Sequence, residues 1–123
     1  MVVYLQAFWQ LIRFEYYLLR RDFPLLRERV RRYPCAPSRA DNNLSSQLCS
    51  AMDVVCFCYP KQALCLQRSA ATVCLLRRHG VPAQMVMGIQ HFPLRAHAWV
   101  EVDGHVVNDK PYTREIYAEL DSC

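Results

Sequence analysis

The chain has 123 residues, 53% of them hydrophobic and 21% charged, which is the composition of a globular domain with a real core and excludes a disordered chain. The net charge of +4 is modest but unevenly spread: Arg13, Arg20, Arg21, Arg27, Arg29, Arg31, Arg32 and Arg39 crowd the first third. No recognition motif accompanies that charge, so nucleic acid is not expected, and the arginines read either as a solvated helical face or as a docking surface for an acidic partner or peptide.

Taken in chain order, the apolar residues Leu5, Phe8, Trp9, Ile12, Tyr16 and Leu19 recur at three-to-four spacing and predict an amphipathic core helix over 3–20. Arg13 and Glu15 leave too short an uncharged run to span a bilayer, and the start lacks the basic residues and small-residue cleavage site of a signal peptide. Pro24 suits the first turn of a second helix over 23–32. "YPCAPSRADNN" then breaks the pattern, and a third helix follows Ser45 or Ser46 toward Cys56 or Phe57. "CLQRSAATVCLLRRHG" is the clearest helix, with Leu66, Ala70, Val73 and Leu76 or Arg77 in step. Arg77 and Arg78 lie at its negative end, and Gly80 is its natural stop. Beyond Gly80 the period changes. "PAQMVMGIQ", "RAHAWVE" and "HVVND" read as strands, the last following an Asp103-Gly104 turn. Helices first and an antiparallel sheet after make an α+β fold. The chain reads as a single domain over 1–123, mainly helical over 1–58, with the strong helix and the sheet over 59–123.

The seven cysteines are an odd number and no secretory signal precedes them, so reduced thiols and a cytoplasmic location are expected. Cys56, Cys58 and Cys65 with a histidine could make four zinc ligands, but the C-x-C lacks a second closely spaced pair; no metal site is assigned. Cys74 reads as a small core hydrophobe.

"RAHAWVEVDGHVVND" holds two histidines, two aspartates and a tryptophan in one hairpin. If Asp103-Gly104 is a two-residue turn, Val102 pairs with His105 and Asp109 faces the other side of the sheet from His97. If Val102-Asp103-Gly104 forms a bulged loop, Glu101 pairs with His105 and His97 lies opposite Asp109. A carboxylate there would orient an imidazole and stabilise its cation. The alternation leaves both registers open. The matching nucleophile is Cys65, where a loop gives way to the strong helix. A helix start favours a thiolate, and its free amides can hold an oxyanion.

Cys65, Leu66, Arg68 and Ser69, then Arg77, Gly80, Pro82 and Ala83, then Ala96 to Gly104 and Asp109, give the chain a family likeness. Over about residues 44–112 it resembles the transglutaminase-like cysteine peptidases of lasso-peptide biosynthesis, the bacterial B proteins that remove the leader from a precursor. The resemblance implies a papain/transglutaminase-like core with Cys65 as nucleophile, His97 as base and then acid, and Asp109 as orienter, and it favours the bulged register. Apart from the resemblance, Tyr59 or Gln62 could supply an oxyanion donor from the loop before Cys65. Arg68, Ser69, Arg95 and Trp99 are candidates for support of the site or contact with the substrate, each with a plain structural role as the alternative. His79, His91 and His105 read as surface or turn residues.

Family members with a fused leader-recognition domain are longer, so the resemblance implies a split arrangement. Its partners are the precursor peptide, a separate leader-recognition protein and a lasso cyclase. Processing in the family is linked to ATP, yet no Gly-rich phosphate loop is present and no cofactor is assigned. The rival readings are a non-catalytic interaction protein on the same fold, an acyltransferase using the same acyl-enzyme, and a structural zinc module.

Overall fold

The computed structural model describes residues 2–36, 42–59, 65–90, 94–102, 104–108 and 113–123. Helices α1 (Val2–Leu19), α2 (Phe23–Arg32), α3 (Asn42–Cys58) and α4 (Cys65–Arg78) precede strands β1 (Ala83–Gln90), β2 (Arg95–Val102) and β3 (His105–Val106). A short α5 (Thr113–Ile116) and β4 (Ala118–Ser122) follow. The sheet is antiparallel in the order β3-β2-β1-β4, so the α+β expectation holds. Helix α3 starts earlier than Ser45, and β4 was not expected at all. Its Ala118, Glu119 and Leu120 are exposed, and an edge strand without an apolar face has no alternation to read. None of the helices among the described residues is long and apolar enough to cross a membrane.

Helix α4 is the centre of the molecule. Gln67 and every residue from Ser69 to Arg77 are buried, and α4 packs against α1, α2, α3, β1 and β2. The Gln67 amide donates to the Leu11 carbonyl of α1 at 2.8 Å. Ala70, Val73, Cys74 and Leu76 meet Leu11, Phe14, Leu26, Val30 and Met52 from the other helices, with Met85 and Val100 from the sheet. Gly80 stops α4 as expected. It sits at φ 86°, and Gly80 N–H to Arg77 O (3.1 Å) with Val81 N–H to Leu76 O (2.9 Å) closes the C-terminal turn.

Arg77 lies in the last turn of α4, as expected, and does more there than complement the helix dipole. Its side chain is buried; Nε donates to the Ala83 carbonyl at 2.9 Å, and Nη1 donates to Val30 O and, at 3.4 Å, to Tyr33 O. One planar cation thus ties the C-terminal end of α2 to the start of β1.

Helix α1 corrects the sequence reading more sharply. Its buried residues are Ala7, Gln10, Leu11 and Phe14. Phe8 and the other five residues of the expected core stripe, Leu5, Trp9, Ile12, Tyr16 and Leu19, are all exposed. At about 100° per residue the two sets lie on opposite sides of the helix, about 160° apart. Gln10 apart, both are apolar, so periodicity alone could not say which faces inward.

Candidate active site

The site forms where the start of α4 meets the sheet. A cavity of about 230 Å³ is lined by Cys65 and Leu66 of α4, Met87 and Gly88 of β1, Ala96, His97 and Ala98 of β2, and Leu120 of β4. Cys65 is the first residue of α4 and is exposed; His97 is half-buried and pairs with Gly88 across β1 and β2. The two residues expected to act together therefore border one cavity. Its wall is otherwise apolar.

Burial separates Cys65 from four of the other thiols. All seven cysteines are free. Burial pushes the Cys74 thiol up to about 12 and that of Cys49 to about 11, and it also raises Cys56 and Cys123. Those four are poor nucleophiles near neutral pH. Of the exposed Cys35, Cys58 and Cys65, it is Cys65 that lies on the cavity with a histidine. Cys56, Cys58 and Cys65 do not gather as the zinc reading requires: among the described residues no three His, Cys, Asp or Glu groups stand close enough to hold a metal ion.

The register of the hairpin is the two-residue one. Val102 pairs with His105 and Glu101 with Val106, with Gly104 at φ 79° in the turn. The bulged register, in which Glu101 pairs with His105, is thereby overturned. The ladder is short, however. Val107 N–H still donates to Val100 O at 3.0 Å, but Val100 N–H turns to the Asn108 side chain, Oδ1, at 2.7 Å. Regular pairing is broken before residue 109, so the register does not dictate which side Asp109 faces. Asp109, Gln62 and His91 lie outside the described residues.

Loss of β3 at this point leaves the edge of β2 to be satisfied by side chains. Buried Ser69, one turn after Cys65, donates its hydroxyl to Ala98 O at 3.0 Å, and Asn108 Nδ2 reaches the same hydroxyl at 3.5 Å. Ser69 therefore fastens the first turn of α4 to the strand that carries His97. Asn108 was missed by sequence reasoning, because its role depends on where β3 stops.

On the other face of β2, Trp99 is fully buried and its indole N–H donates to Glu101 Oε2 at 2.8 Å. The His97 ring lies 6.1 Å from that of Trp99 and 5.1 Å from that of Tyr117, so two aromatic rings define its position. Tyr117, in the unexpected segment between α5 and β4, was also missed. The β1–β4 register slips between Met87 and Gly88: Met87 pairs with Asp121 and Gly88 with Glu119, leaving Leu120 as the extra residue. That bulge brings Leu120 to the cavity.

Gly88 permits this packing. A Cβ there would stand 2.7 Å from Trp99 Cη2 and 2.9 Å from the Ala118 carbonyl. Gly88→Ala is expected to cost about 2 kcal/mol in urea unfolding, because both the indole and a backbone strand must move. An unchanged midpoint would mean that the aromatic cluster is loosely packed.

The remaining candidates sit elsewhere. Arg68 forms an ion pair with Asp53 of α3. Tyr59 packs edge-on against Phe8 at 5.9 Å, and its hydroxyl accepts from Gln67 Nε2 at 3.5 Å; among the described residues it does not line the cavity. Arg95 is exposed at the start of β2, His79 bonds Gln6 at 2.8 Å, and His105 is exposed.

A cysteine opening a buried helix, with a histidine on an antiparallel strand packed against it, is the arrangement of a transglutaminase-like protein. The chain matches the transglutaminase-like superfamily over residues 8–122 and belongs to it. It is also similar to the Microcin J25-processing protein McjB of Escherichia coli, with 39% identity over 51 residues, 42% of this chain. The match spans 24% of that protein, so the chain covers about a quarter of its relative's length. No solved structure matches the chain.

Proposed function

We propose that the chain is a cytoplasmic cysteine peptidase that removes the leader from a lasso-peptide precursor and frees the core N-terminus for ring closure. The observation that carries this reading is the shared cavity of Cys65 and His97. Similarity to a microcin-processing protein supports the substrate class.

The leader–core junction lies in the cavity. His97 takes the Cys65 thiol proton, and the thiolate attacks the carbonyl carbon of the last leader residue. Amides at the start of α4 hold the oxyanion. As the C–N bond breaks, the imidazolium gives its proton to the departing amine, which becomes the core N-terminus. His97 then deprotonates water, which attacks the thioester; the leader leaves as a carboxylate and the Cys65 thiol is restored. Asp109 orients the imidazole and supports its charge. A separate leader-recognition protein presents the precursor, and a cyclase consumes the product.

The test is incubation of the cognate precursor with this protein, with and without a leader-binding protein, followed by mass spectrometry. Hydrolysed leader is the expected product. An acyl group transferred to an amine would make the chain an acyltransferase, and no product in either arm would leave a non-catalytic interaction protein. Asp109→Asn is expected to lower turnover by roughly 10²-fold or more, since asparagine lacks the charge that supports the imidazolium. Unchanged turnover would move the third role to another residue, Glu101 or Asp103.

A further inference from the structure

His97 shares a cluster with two aromatic rings. The Tyr117 ring lies 5.1 Å from the imidazole with its plane tilted by 31°, and the Trp99 ring stacks at 6.1 Å and 26°. The two aromatic rings stand 6.1 Å from each other. A cation is attracted to an aromatic face within about 6 Å of its centroid, a distance that Tyr117 meets more closely than Trp99. Tyr117 is also set by the backbone on both sides. Its N–H donates to the Thr113 carbonyl at 3.0 Å, and the next residue, Ala118, pairs with Ile89 at the start of β4. Gly88 stands between His97 on β2 and Glu119 on β4, so β1 puts no side chain there to hold Tyr117 away from the imidazole.

We propose that Tyr117 is a positioning residue for His97: its ring fixes the plane of the imidazole, and its π face supports the positive charge that His97 carries between taking the Cys65 proton and giving it to the departing amine. The proposal rests on the peptidase reading, and it assigns the role to the ring and not to the hydroxyl. Other charged residues share this side of the sheet: Arg95 and Glu101 of β2 by alternation, and Glu119 of β4 across from Gly88. They stay the same when Tyr117 alone is changed. Trp99 is fully buried, so its removal would empty the core, whereas Tyr117 is half-buried and open to substitution.

The test separates the ring from its bulk. Tyr117→Phe keeps the aromatic face and loses only the hydroxyl. Tyr117→Leu keeps apolar volume without a π face. Pentafluorophenylalanine in place of Tyr117 keeps the ring shape and reverses its quadrupole. With melting curves as the control for folding, Tyr117→Leu and the fluorinated ring are expected to lower kcat on the cognate precursor about five- to tenfold. KM is expected to be unchanged, because among the described residues Tyr117 does not line the cavity. Tyr117→Phe is expected to retain wild-type kcat. If Tyr117→Leu melts early, the fluorinated ring carries the comparison.

A second readout needs no substrate. Iodoacetamide alkylation of Cys65 is followed by peptide mass mapping, with the exposed Cys35 and Cys58 as internal standards. Wild type and Tyr117→Phe are expected to react faster at Cys65 than Tyr117→Leu, with His97→Gln slowest. A wild-type chain that shows this order yet cleaves nothing would end the peptidase reading and keep the link from Tyr117 through His97 to Cys65. Equal losses in Tyr117→Phe and Tyr117→Leu, wild-type kcat with the fluorinated ring, or Cys65 alkylation indifferent to Tyr117 would overturn the proposal.

Discussion

Cys65→Ala is expected to abolish cleavage of the precursor while leaving the fold and its melting curve unchanged. Cys65 is exposed at the first residue of α4, so its removal empties no part of the core. The chemistry has no substitute for it. Cys49, Cys56, Cys74 and Cys123 are buried or half-buried with raised thiol pKa values, and Cys35 and Cys58 do not line the cavity. Cys65→Ser keeps the shape and a hydroxyl in place of the thiol, and is also expected to be inactive under the same assay, because a serine is not activated by an imidazole alone to the degree a thiol is. Full activity in the alanine variant would end the peptidase proposal outright.

The largest effect on stability is expected from Arg77→Met. The methionine replaces the apolar stem, but it leaves the carbonyls of Val30, Tyr33 and Ala83 without their buried donor. Each such unsatisfied acceptor costs about 1–3 kcal/mol, offset in part by relief from burying a cation, so a net loss of about 3–4 kcal/mol is expected in urea unfolding. Arg77→Lys is expected to recover little of it. A single ammonium cannot present the planar fork that reaches the end of α2 and the start of β1 together. A loss under about 1 kcal/mol in Arg77→Met would show that water reaches these carbonyls and that the guanidinium is not the tie between the two elements.

What was legible in the sequence follows from the physics of each signal. Helix α4 was clear because its period, its basic end and Gly80 all agree. Cys65 and His97 could be singled out because a cysteine at a helix start and a histidine on a strand are local features. The face of α1 was misread, since two apolar stripes produce the same periodicity and only packing chooses between them. The hairpin register was open because alternation is identical in both registers, and the family likeness favoured the wrong one. Asn108 and Tyr117 act through elements that end or begin nearby, β3 and β4, and no pattern in their own neighbourhood announces that. Arg77 looked like any basic residue at a helix end; its burial depends on α2 and β1 closing over it.

The early end of β3 has one more consequence. Sheet edges are sticky, since an extended segment can add to them through free backbone groups. Near the cavity two of those groups on β2 are taken: Ala98 O by Ser69 and Val100 N–H by Asn108. The plugged edge resists both strand addition by a neighbouring molecule and zipper-like capture of an extended peptide. Selection at this cavity would then rest on side chains fitting its apolar wall rather than on backbone pairing along β2.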